Sequence, residues 1–130
     1  MTRSRPFVGG AALLLGLLCG AVGFATYGVA PTGVLFLLGV PTVALWGLAG
    51  AASQGLMTRH VGASEQGQLQ GANGSVRGIT ELIGPGLFTQ CFAVFIAANA
   101  PLQLPGAPFL LASLLLAAAL LTAWRVTRPR

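Results

Sequence analysis

Charged residues are scarce in this 130-residue chain, and their scarcity excludes an ordinary soluble domain. Only 7% of the residues are charged, with neither lysine nor aspartate present, while 55% are hydrophobic. Soluble domains carry roughly 25% charged residues. Seven arginines and two glutamates are too few to give a chain of this size a solvated surface. We therefore predict that the protein lies in a lipid bilayer.

Residues that build catalytic or metal sites are equally rare. The single histidine, His60, has no second His, Cys or carboxylate at ligand spacing, so we expect no metal and no cofactor. Ser75 and Ser113 lack a histidine base, so we expect that the protein is not an enzyme. Cys19 and Cys91 lie in apolar stretches, where thiols are more typical of small packing residues than of a disulfide or metal pair.

The net charge of +5 does not predict a nucleic-acid partner. The arginines sit mainly at the ends of apolar segments and form no basic cluster interleaved with aromatic residues. Such a bias beside apolar segments is typical of membrane topology. We expect the lipid bilayer, rather than DNA or RNA, to be the main partner.

Four apolar segments are long enough to cross a bilayer, which takes about 20 helical residues. The first follows a short basic stretch, but it exceeds the 7–15 residues of a signal-peptide core, and three further segments follow it. The predicted fold class is an all-α integral membrane protein with four transmembrane helices. We predict a cytoplasmic tail over residues 1–6 and a membrane domain over 7–130, with spans at about 7–29, 34–56, 74–98 and 107–124.

The second and third spans contain helix-breaking residues. Pro41 is expected to kink the second span, and Gly84 with Pro85 to break or kink the third. The third helix is predicted to start near Glu65, with Ser64 as its N-cap, and to reach about residue 98. On the second span, we expect residues 47, 50 and 51 (Gly, Gly, Ala) to offer a close-packing face.

The arginines also predict an orientation. They occupy the N-terminal tail, the connection over 57–64 and the C-terminal tail, whereas the other two connections carry no charge. With four spans these basic places fall on one side of the membrane. The positive-inside rule then places both termini and the 57–64 connection in the cytoplasm.

A row of glycines marks the third helix. Gly67, Gly71, Gly74 and Gly78 are four, three and four residues apart and so share one helical face. No strand precedes them, so they do not form a phosphate-binding loop. Each would cost about 1 kcal/mol against alanine in a helix in water. In lipid such a row lets another helix approach closely, so we predict a helix-packing role.

Polar residues beside this row are the candidate functional residues. Arg77 and Glu81 lie four apart and share a face. Glu81 is either a protonatable carboxylate for proton coupling or half of a local ion pair that satisfies itself. Gln54, Gln70 and Asn73 could form hydrogen bonds with a substrate or with neighbouring helices.

Three segments together resemble a known family. Residues 54–59 (QGLMTR), 65–71 (EQGQLQG) and 84–89 (GPGLFT) are similar to the tetracycline-resistance branch of the major facilitator superfamily. Members of that branch are proton-coupled drug antiporters with twelve spans. The resemblance implies that the four spans correspond to the ninth to twelfth helices, a part of the C-terminal half, and that Gln54, Gln70, Asn73 and Arg77 lie near the substrate or the domain interface.

The resemblance also has departures. The family often has proline where Ala51 stands and a small residue where Glu81 stands, so no family role passes to Glu81. The first eight helices, with the acidic residues that the family uses for proton coupling, have no counterpart in this chain. Half of a rocking transporter cannot alternate access around a central site.

These observations leave three functional hypotheses. The first is a fragment of a tetracycline-like efflux transporter that does not transport alone and needs the missing N-terminal half. The second is a membrane interaction module that moves no substrate. The third is a dimeric four-span exporter like the small multidrug resistance proteins, which use a glutamate in the first helix, whereas the first span here has no charge.

Overall fold

The computed structural model describes the backbone of residues 5–127 and the side chains of residues 8–127. Within this range the chain forms four helices: α1 (Arg5–Val29), α2 (Gly33–Arg59), α3 (Gln66–Ile96) and α4 (Ala107–Thr127). All four are long and apolar enough to cross a membrane. The four-helix all-α membrane architecture is therefore confirmed. Residues 1–4 of the predicted N-terminal tail lie outside the described residues.

Local chemistry determines where α2 begins and ends. Thr32 is the N-cap in an extended conformation, and its side-chain oxygen accepts a hydrogen bond of 3.4 Å from the Leu35 N–H. At the other end, Arg59 lies in the last turn, and the His60 N–H donates to the Met57 carbonyl over 3.1 Å. A cation in the last turn interacts favourably with the helix dipole.

Helix α3 begins differently from the prediction. Its N-cap is Glu65, not Ser64, so that part of the prediction is wrong. The chain turns tightly ahead of the helix, because the Glu65 N–H donates to the Gly62 carbonyl over 3.0 Å. The Gly62 N–H in turn donates to Glu65 Oε2 over 3.2 Å. This turn places Glu65 at the junction and leaves Ser64 inside the loop.

The prolines in the interiors of α2 and α3 are tolerated without a break. Helix α2 continues through Pro41, and α3 continues through Gly84 and Pro85 to Ile96. A proline removes one backbone hydrogen bond and crowds the preceding turn. The kinks expected at these positions stay predictions.

Helix α1 is the centre of the packing, with α2 and α4 on either side of it. Glycines of α1 allow the close approach to α2: a Cβ on Gly16 would lie 2.6 Å from the Ala49 backbone nitrogen, and one on Gly20 would lie 2.8 Å from the Trp46 ring. Between α1 and α4, the Ser113 hydroxyl donates to the Ala21 carbonyl over 2.7 Å. Close backbone approach of this kind holds helices together where lipid removes the hydrophobic drive.

The face of α2 that packs is not the expected one. Gly39 and Ala49 are its buried residues. A Cβ on Gly47 or Gly50 would meet nothing within 4 Å, so the predicted close-packing face points away from the described helices. The α2 residues that pack instead are Ala49, Trp46 and Val43, which lie against glycines of α1 that have no side chain to keep them away.

Candidate functional site

Helix α3 carries two adjacent rows of residues on one broad face. A polar row consists of Gln66, Gln70, Asn73, Arg77 and Glu81, and the first four of these are each followed directly by a glycine of the glycine row defined above. Successive residues of an α-helix are separated by about 100°. The polar row and the glycine row therefore run side by side along α3, and we call this combined surface the α3 face.

The α3 face is open. A Cβ on any of Gly67, Gly71, Gly74 and Gly78 would meet nothing within 4 Å, and none of the described residues of α3 is buried. Within the described part of the chain, no other helix covers the glycine row. Its predicted packing role therefore requires a surface outside these four helices.

Two charged side chains of the polar row pair with each other. Arg77 Nε donates to Glu81 Oε1 over 2.7 Å, while the two side chains are 80% and 64% exposed. Among ionisable groups inside a membrane, nearly all face a protein interior or a water-filled cavity. The pair satisfies part of the hydrogen-bonding capacity of each group and leaves the remaining donors and acceptors available. A covering surface that is polar or wet would satisfy them.

A hydrogen bond joins the polar row to α2. Asn73 Nδ2 donates to Gln54 Oε1 over 3.1 Å. Gln54 is half-buried, whereas Asn73 is exposed, so the bond lies at the edge of the α3 face nearest α2. Of the four residues nominated from the sequence, these two are brought together. Gln70 and Arg77 lie about one turn to either side of Asn73 on the same row.

An aromatic cavity lies between the packed helices and α3. It has a volume of about 490 Å³ and an entirely apolar lining. Phe24 of α1, Trp46 of α2 and Phe109 of α4 line it together with Phe88 of α3. The rings of Phe24 and Trp46 meet edge to face with centroids 5.5 Å apart. Aromatic walls of this kind can accept the apolar body of a small molecule.

Sequence reasoning missed this cavity. Its aromatic residues come from four different helices, and no spacing within one helix relates them. The one local signal is on α1, where Tyr27 lies three residues from Phe24 with the ring centroids 6.0 Å apart, although Tyr27 itself does not line the cavity. Only the packing of α1 against α2 and α4 shows that Trp46 and Phe109 join them.

The described residues offer no metal centre. They contain no group of three or more His, Cys, Asp or Glu side chains that could hold a metal ion. Cys19 and Cys91 are both free thiols and partly exposed. The chemistry of the site is therefore that of amide hydrogen bonds, one ion pair and aromatic surface.

Comparison with known proteins adds no family assignment. None of the protein-family models matches this chain, and no solved structure matches it.

Proposed function

We propose that the chain is the part of a proton-coupled, tetracycline-like drug efflux transporter that corresponds to its ninth to twelfth helices. In this proposal the chain does not transport alone, and further helices, equivalent to the N-terminal half, cover the α3 face. The observation that carries the proposal is that face itself: it holds one ion pair, three amide side chains and four glycines, yet no described helix covers its glycine row.

The energetics of a bilayer support a covering surface. A charged side chain at the bilayer centre costs at least about 2.5–3.5 kcal/mol. Arg77 and Glu81 lie in the middle part of α3 with most of their side-chain surface exposed. Another set of helices would remove this surface from lipid, and the glycine row would let them approach closely. The aromatic cavity beside α3 would then take the apolar part of the drug.

The proposal includes an orientation in the bacterial inner membrane, with both termini in the cytoplasm. A Cβ on Gly9 would lie 3.1 Å from Leu56, and one on Gly10 would lie 3.7 Å from Thr127. The start of α1 and the ends of α2 and α4 are therefore together, and we call this the basic end because it includes Arg59 and Arg125. The positive-inside rule favours the cytoplasmic side for the basic end.

Reporter fusions test this orientation. We expect green fluorescent protein fused after Arg130 to fluoresce, because it folds in the cytoplasm. Alkaline phosphatase inserted after Leu102, in the connection between α3 and α4, should be active, since it needs the periplasm. The same phosphatase inserted after Gly62 is the matched control and should be inactive. The reverse activity pattern would contradict the orientation.

Drug accumulation tests the functional claim directly. Cells that express the 130 residues alone are expected to accumulate tetracycline to the same level with and without a proton gradient. Immunoblotting of the membrane fraction must show that the chain is present. Gradient-dependent efflux by the chain alone would overturn the claim that it needs other helices.

The open glycine row also favours the second function, a membrane interaction module without transport. The two functions differ when the chain is expressed together with helices that cover the α3 face. Only the transporter function predicts drug efflux from such cells. The variant Glu81→Gln tests these two functions against the third hypothesis, a dimeric exporter that transports without other helices. It should abolish export in such an exporter, where Glu81 would carry the proton, and leave drug accumulation by the chain alone unchanged under the other two.

A further inference from the structure

A second apolar groove lies between α1 and α4, nearer the start of α1 and the end of α4 than the aromatic cavity. Its volume is about 460 Å³, and its lining is formed by Leu14, Leu15, Leu18, Leu120, Leu121 and Trp124. Five leucines and an indole ring leave almost no polar surface in the groove. In a bilayer such a groove suits a hydrocarbon chain.

The groove leads towards the basic end. Helix α4 runs from Leu121 to its end at Thr127, which lies against Gly10 near the start of α1. Arg125 follows Leu121 by four residues, so it lies on the same helical face about 5.4 Å further along the axis. Its side chain is exposed, and a long arginine side chain can extend its charge towards the headgroup region.

The positive charge at the basic end favours a lipid with an anionic headgroup. Arg59 and Arg125 occupy the last turns of α2 and α4, and so bring two positive charges to this end. Glu65, at the start of α3, is the acidic residue nearest in sequence to Arg59, and its carboxylate accepts a hydrogen bond from the Gly62 N–H. Basic pockets between transmembrane helices bind anionic lipid headgroups.

We propose that the groove between α1 and α4 binds an anionic phospholipid. One acyl chain lies against Leu14, Leu18 and Leu121, and the guanidinium of Arg125 pairs with the phosphate. Trp124 lies at the boundary between the two parts, where an amphipathic indole is favoured at the membrane interface. This site is independent of drug transport and does not involve the α3 face.

Native mass spectrometry of the purified, delipidated full chain tests the site. Dioleoyl phosphatidylglycerol and dioleoyl phosphatidylcholine are added at equal concentration. We expect the anionic lipid to bind about fivefold more than the zwitterionic one, which is the effect of one basic residue near a charged surface. Arg125→Gln should remove the preference, and Arg125→Lys should keep it because the positive charge remains.

Two controls decide whether the groove is responsible. Arg59→Gln removes the same charge at the same end from a helix that does not line the groove, so it should keep the preference. Leu18→Trp fills the groove and should weaken binding of both lipids. An equal loss of preference in Arg59→Gln and Arg125→Gln would overturn the proposal in favour of diffuse surface charge. Displacement of the lipid by glycerol phosphate alone would overturn the role of the acyl chain.

Discussion

Gly106→Ala is expected to lower the thermal stability of the purified chain strongly. A Cβ at Gly106 would overlap the carbonyl oxygen of Gly28 and would lie 2.7 Å from the Gly28 Cα. Both obstacles are backbone atoms, so no side-chain rotation can relieve the overlap, and α1 and α4 must move apart. Adding atoms to a packed interface typically costs about 1–3 kcal/mol. The midpoint of thermal unfolding in detergent, followed by circular dichroism, measures the effect.

Gly47→Ala is the matched control for this prediction. It makes the same chemical change inside α2, where a Cβ would meet nothing within 4 Å. We expect an unchanged or slightly higher unfolding midpoint, because alanine favours the helix over glycine. Equal midpoints for the two variants would contradict the close contact between Gly28 and Gly106.

Gly74→Leu is expected to abolish efflux without unfolding the chain. Efflux is measured in cells that express this chain together with the first eight spans of a tetracycline/proton antiporter. Gly74 lies in the middle of the open glycine row, so a leucine there meets no described residue but would block a helix that covers the α3 face. We expect loss of copurification with the eight-span portion and loss of tetracycline efflux, with the unfolding midpoint of the purified chain unchanged.

Val76→Phe provides the control on the opposite side of α3. Val76 is two residues beyond Gly74, about 200° around the helix, and is 62% exposed. Added bulk at Val76 should face lipid and leave both copurification and efflux intact. If Val76→Phe reduces copurification and efflux as much as Gly74→Leu does, the eight-span portion does not bind through the α3 face.

The four helices were predictable because a membrane-spanning backbone must satisfy its hydrogen bonds internally. Long apolar runs in lipid therefore have to be helices. Boundaries were harder to predict, as the start of α3 shows. Both Ser64 and Glu65 are chemically able to occupy a helix start, and the turn at Gly62 decides between them.

The packing partner of each glycine row was not predictable from spacing. Gly16, Gly20 and Gly23 on α1 are four and three residues apart, as Gly67, Gly71 and Gly74 are on α3. The α1 row contacts α2 at Ala49, Trp46 and Val43, whereas the α3 row contacts nothing described. Spacing places glycines on one face, but the position of the other helices determines which face is covered.

The polar candidates show a similar division. The sequence places Arg77 and Glu81 on one face because they are four apart, and the ion pair between them follows from that local geometry. The bond between Asn73 and Gln54 joins residues from two helices, and no local rule relates them. Their role in substrate contact stays a prediction.

The central claim is that four spans transport only when other helices cover the α3 face. Its most direct test is tetracycline accumulation in cells that express this chain together with the first eight spans of a tetracycline/proton antiporter. We expect low accumulation that rises when an uncoupler removes the proton gradient, and high accumulation when either part is expressed alone. High accumulation with both parts present and copurifying in the membrane would contradict the transporter proposal and favour an interaction module.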